Sequence, residues 1–196
     1  MTSQSECTSL LQAFYYDEMD GIKKFGWLAI RNFLLSPRYQ AVVLLRWHRI
    51  FYLRAKKRSR RKGKFNAFLA LINTRLRQTV ERVNFALNGG IDISPMAQIG
   101  RYLFLASPQG VTIAGDCIIG EHLEIHQGTN IGIRNGKYPT IGNNVVIGSG
   151  AHVLGDISVG DNSIIGAMTL VIGDVAPNTV VAGIPARAIR STTNKE

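Results

Sequence analysis

From Ile93 onward an aliphatic side chain returns at every sixth position: Ile93, Ile99 and Leu105, then Ile113, Ile119, Ile125 and Ile131, then Ile141, Ile147, Val153, Val159, Ile165 and Val171. A period of six is neither a helix face nor plain strand alternation. It fits short strands joined by tight turns into a coil, three hexapeptides per turn, with one aliphatic residue pointing inward on each side. The register slips by two residues between Leu105 and Ile113 and by four between Ile131 and Ile141, which predicts loops at about 106–112 and 132–140. Insertions into a rigid repeat are where sites are built.

The first ninety residues follow another period. Ser36-Pro37 reads as an N-cap followed by proline at the first helical position, and the apolar run after it predicts a helix at about 38–55. Phe65, Phe68, Leu69, Ile72, Leu76, Val80, Val83 and Leu87 recur at three- and four-residue steps and predict a second helix, stopped by Asn88-Gly89. A shorter segment around Trp27–Leu35 is expected to form a third.

Composition sharpens this division. Residues 1–90 hold 17 basic and 5 acidic side chains, and residues 91–196 hold 6 and 8; only 5 of the 20 glycines precede residue 91. The expected organisation is a basic α-helical region (1–89), a repeat domain (90–190) and a short tail (191–196). Cys7 and Cys117 have neither metal-ligand nor disulfide-framework spacing, so no metal is expected and a reducing compartment is. The N-terminal MTSQSECTSL lacks the pattern of a secretory signal, and no apolar stretch reaches the length of a membrane span, so a cytoplasmic location is expected.

Between the two long helices, RAKKRSRRKGK places eight cations in eleven positions. One reading is a solvated linker face. The other is peripheral contact of residues 38–64 with an anionic membrane, since each cation near such a surface gains about 1 kcal/mol and the neighbouring helix offers Leu44, Leu45, Trp47, Ile50, Phe51 and Leu53. No nucleic-acid-binding signature accompanies the charge, so nucleic acid is not expected as a partner.

The repeat, with IGNNVVIGSGAHVLGDISVGDNSIIGAMTLVIGDV and AGIPAR at 182–187, resembles the hexapeptide-repeat acyltransferases, and within them the serine O-acetyltransferases and the shorter enzymes of capsule and exopolysaccharide clusters. GIDISPMAQIG, GVTI, EIHQGTNIG, PTIGNNVVIG and PARAI carry the likeness over most of 90–190. The resemblance implies a left-handed parallel β-helix, a homotrimeric prism, and acetyl-CoA as co-substrate in a groove between subunits. It also implies a histidine base fifteen residues after an orienting aspartate. Counting from Asp92 reaches Ser107, so the acid is present and the base is not; Tyr138 likewise stands where serine O-acetyltransferases have a second active-site histidine.

A serine hydroxyl is no base at neutral pH, whereas imidazole is. Register arithmetic stacks position 126 on 106, about 4.8 Å from the altered loop. His126 is therefore either a relocated base beside Asp92 and Ser107 or an ordinary turn residue. Of the other histidines, His122 reads as surface and His48 as a core or interface residue of the apolar helix. The resemblance places Tyr138 in the acceptor loop, where Arg134 and Lys137 are candidates beside it, and assigns Ser149, Ala167 and His152 to coenzyme A, while Arg187 and Arg190 offer guanidinium donors for its phosphates. Ser149 and Ala167 also suit the repeat's own need for small residues, and the AGIPAR segment could simply cap the last coil.

Three functions compete. Transfer of acetyl from acetyl-CoA to a sugar hydroxyl, on a capsular or lipid-linked glycan, leads. Serine O-acetylation is the second, and a trimeric scaffold that has lost activity is the third.

Overall fold

The computed structural model describes residues 89–192 throughout and, before them, scattered helical positions between 49 and 86. The chain divides into two units, Met1–Asn88 and Gly89–Glu196. In the first, Arg49, Ile50, Tyr52, Leu53 and Lys56 are helical, as is every described position from Phe68 to Ala86. These fall along the two long helices expected from the apolar periodicity, Lys56 lying one residue past the first. The Trp27–Leu35 segment, His48 and the basic run other than Lys56 lie outside the described residues. Lys56 is exposed, with its ammonium 5.8 Å from the Tyr52 ring centroid. Among the described residues, no helix is long and apolar enough to cross a membrane.

The second unit is a left-handed parallel β-helix with three sides. Sheet one stacks β1 (Asp92–Ile93), β4 (Thr112–Ile113), β7 (Asn130–Gly132), β10 (His152–Leu154) and β13 (Leu170–Val171). Sheet two stacks β2 (Gln98–Ile99), β5 (Ile118–Ile119), β8 (Thr140–Ile141) and β11 (Ser158–Val159). Sheet three stacks β3 (Phe104–Leu105), β6 (Glu124–Ile125), β9 (Val146–Ile147), β12 (Ile164–Ile165) and β14 (Thr179–Ala182), closed by β15 (Arg187–Ser191), the one antiparallel neighbour.

Pairing confirms the expected register. Asp92 pairs with Thr112 and Asn130 with His152 across the two insertions, whereas Thr112 pairs with Asn130 and His152 with Leu170 at the regular eighteen-residue interval. The excursions are tighter than expected. Val111 is already buried and β8 already starts at Thr140, so the loops occupy only 106–110 and 133–139.

Inward packing is denser than one residue per side. The residue two positions before each aliphatic also turns inward, as Val111, Cys117, Leu123, Val145 and Ala151 do, because alternation along a strand returns the chain to the same face. Where that position is polar, the hydroxyl finds a carbonyl: Thr129 Oγ1 donates to His126 O at 2.8 Å and Ser163 Oγ to Ala176 O at 3.0 Å. A buried hydroxyl left unpaired would be costly. Cys117 belongs to this column. Its Sγ donates to Ala114 O, and burial pushes the thiol up to about 11, so it is no nucleophile near neutral pH.

The corner between sheets two and three carries a ladder that the hydrophobic pattern does not reveal. Tyr102, His122, Asn144, Asn162 and Asn178 all have left-handed backbones, with φ between 54° and 60°. The Tyr102 and His122 rings stack at 4.4 Å, and amide hydrogen bonds join Asn144 to Asn162 and Asn162 to Asn178 at 3.1 and 3.0 Å. Asparagine tolerates this backbone because its short polar side chain bonds locally. Asn162→Ala is expected to cost about 1–2 kcal/mol, and Asn162→Gly, which relieves the backbone, less. Thermal unfolding of the two variants checks the order.

Candidate active site

At the third corner, where sheet three passes the chain to sheet one, strand register places Ala106, His126, Gly148, Gly166 and Ala182 one above another. Successive levels are about 4.8 Å apart. Gly148 is dictated by stacking, because a Cβ there would lie 2.7 Å from the backbone nitrogen of Ala167. The only large side chain in this column is the imidazole of His126.

Turn tips form a second column. The carbonyls of Gln109, Gln127 and Ser149 accept the N–H groups of Gly128, Gly150 and Met168 in the coil above. Ser149 is half-buried and Ala167 exposed, both on this corner. In the first coil, Ser107 and the buried Pro108 are the two extra residues, and Val111 N closes their turn onto Pro108 O at 3.3 Å. At the upper end, Gly183 O accepts Leu170 N and Ala186 N donates to Leu170 O, laying the AGIPAR segment beside β13. Arg187 ends this segment and Arg190 lies three residues on, both exposed, and Arg187 Nη1 donates to Ala186 O.

His126 is held on three sides. Its N–H donates to Ile147 O at 3.1 Å, its carbonyl accepts Thr129 Oγ1, and its Nε2 lies 3.0 Å from Glu124 Oε1. Sequence reasoning missed Glu124, although the signal was present: with Ile125 pointing inward, residues 124 and 126 must share the outer face. Asp92 and His152 sit elsewhere, exposed on the outer side of sheet one in the row Asp92, Thr112, Asn130, His152 and Leu170. Among the described residues, no hydrogen bond joins Asp92 to Ser107 or His126.

The second loop leaves from the first corner, between sheets one and two. Arg134 and Lys137 exchange backbone hydrogen bonds of 3.1 and 3.2 Å around Asn135 and Gly136, whose φ of 54° and 78° make the tight turn that an Asn-Gly pair favours. Lys137 Nζ pairs with Asp156 of the next coil, and the Tyr138 ring lies over Gly115, where a side chain would collide with it. Between hairpin and coil is a half-open cleft of about 270 Å³, lined by Arg134, Asn135, Lys137, Gly155, Asp156, Ile157 and Ile172. Among the described residues, no group of His, Cys, Asp or Glu is placed to hold a metal ion.

Known proteins share this fold. Residues 138–173 match the bacterial transferase hexapeptide family (six repeats). Serine acetyltransferase from Staphylococcus xylosus is 42% identical over 105 residues, which take in 52% of this chain and 49% of that enzyme. The chain thus spans about half the length of the curated relatives it matches. The crystal structure of Neisseria gonorrhoeae serine acetyltransferase superposes with a TM-score of 0.75 at 24% identity, over 96% of this chain and 69% of that one. That of serine acetyltransferase in complex with coenzyme A from Brucella abortus strain S19 superposes with a TM-score of 0.70 at 22% identity, over 97% and 71%. At such identities these likenesses bear on the fold alone. With its six-residue period and three parallel sheets, the repeat half of this chain has the fold of these structures, and its residues 138–173 carry the repeat of the bacterial hexapeptide transferases.

Proposed function

We propose that this chain is an acetyl-CoA-dependent O-acetyltransferase whose donor lies along the third corner and whose base is His126. The observation that carries the reading is the single imidazole in a column otherwise made of Ala106, Gly148, Gly166 and Ala182. A bare wall suits the pantetheine arm, with Ser149 and Ala167 beside it. Arg187, at the upper end of the corner, offers donors that match phosphate. The choice of acetyl-CoA as donor is supported by the structural neighbour in complex with coenzyme A.

The acceptor is a hydroxyl. The names of the relatives favour that of serine over the sugar hydroxyl that led on sequence alone. One observation keeps the sugar as a second reading: Ser107 and Tyr138 replace both histidines that the resemblance implies for serine enzymes. Three copies of the chain complete the site in this proposal. Within one chain, His126 and the Arg134–Tyr138 loop flank opposite edges of sheet one, and a side of six residues at about 3.3 Å each separates them by roughly 15–20 Å. A neighbouring copy could bring one chain's loop to another's corner.

The test is coenzyme A release from acetyl-CoA with L-serine and a panel of sugars, alongside sedimentation analysis. Acceptor-dependent release, greatest with serine, is the expected result. Release greatest with a sugar would restore the second reading. Binding of acetyl-CoA without turnover would leave a scaffold, and a monomer with full activity would remove the shared site.

A further inference from the structure

The family pattern assigns the orienting carboxylate to Asp92, yet the structure puts a different carboxylate on the imidazole. Glu124 and His126 leave β6 on the same outer face, with Oε1 3.0 Å from Nε2 and the side chains only 38% and 35% exposed. An ionised carboxylate only accepts hydrogen bonds, so in the neutral ring this contact places the hydrogen on Nε2 and leaves the lone pair on Nδ1. Ring position is further constrained from the backbone, since the N–H of His126 is tied to Ile147 O and its carbonyl to Thr129 Oγ1. Ala106 below and Gly148 above carry too little side chain to cover the ring.

We infer that Glu124 is the positioning carboxylate of this site, fixing the tautomer and direction of His126 so that Nδ1 receives the acceptor's proton. The inference rests on the acetyl-transfer reading above. In the step, the acceptor O–H proton passes to Nδ1 as the oxygen bonds to the thioester carbonyl carbon. The carbon–sulfur bond then breaks, and the departing thiolate takes the proton back from Nδ1. Glu124 carries no proton in this sequence. Its charge faces the imidazolium while that cation exists, the role a second carboxylate or carbonyl plays wherever imidazole serves as base.

The test compares wild type, Glu124→Gln, Glu124→Asp, His126→Ala and the double variant Glu124→Gln/His126→Ala in coenzyme A release, with unfolding temperatures measured alongside. General-base catalysis supplies roughly 10²- to 10⁴-fold, so loss of the partner alone is expected to lower kcat about tenfold. KM for acetyl-CoA should stay unchanged, Glu124→Asp should recover part of the rate, and the unfolding temperature should hold. In the His126→Ala background Glu124→Gln should do nothing further, because a residue acting through another loses its effect with it. An unchanged kcat in Glu124→Gln, or an equal loss with and without His126, overturns the inference while leaving the transferase reading intact. A wild type that releases no coenzyme A with any acceptor overturns both.

Discussion

His126→Ala is expected to lower coenzyme A release at least about 100-fold, with binding of acetyl-CoA retained. The size follows from the chemistry. An alcohol attacks a thioester at neutral pH only as its proton leaves, and Ser107, which occupies the family's base position, cannot accept that proton. Among the described histidines, His122 is stacked on Tyr102 at another corner and His152 lies exposed on sheet one. Steady-state kinetics, with acetyl-CoA binding measured by calorimetry, checks the result. Full activity in His126→Ala would return the base to an unassigned residue. Where His126→Ala has lost the rate, Ser107→His in that background is informative: recovery would mean that the first loop still faces the reacting thioester.

The second large effect is on stability. Ile147→Ala is expected to cost about 2–5 kcal/mol, the range for emptying a closed apolar site. Ile147 is fully buried and stacks between Ile125 and Ile165 in the middle of the column. Each coil of a solenoid is stabilised by its neighbours, so the cavity weakens two interfaces together. It also lies directly beneath the corner at Gly148, and acetyl-CoA affinity should fall with stability. Denaturant unfolding measures the first and calorimetry the second. A loss below about 1 kcal/mol would mean that the column relaxes to fill the space, contrary to the close packing of protein interiors.

Residue type and spacing alone determined the coil. The recurrence from Ile93 to Val171 states the period, its slips locate both loops to within a few residues, and Asn135-Gly136 marks the tight turn of the second. Inward packing is a local property of alternating strands, which is why such features are legible. What remained hidden arises between coils. Positions 124 and 146, or 144 and 162, are neighbours only after the chain has wound once around, so the asparagine ladder and the small-residue column have no signature within a short window. The carboxylate on His126 is a different case, because it follows from alternation along a single strand. Asp92 has the family's spacing, but its strand faces another side of the prism, and Glu124, two residues from the ring on the same strand face, makes the contact. Sequence thus determined which residues are available at the corner and which face each strand residue takes, and the winding of the coil decided which residues of successive turns meet, because they become neighbours only once the chain has passed around the prism.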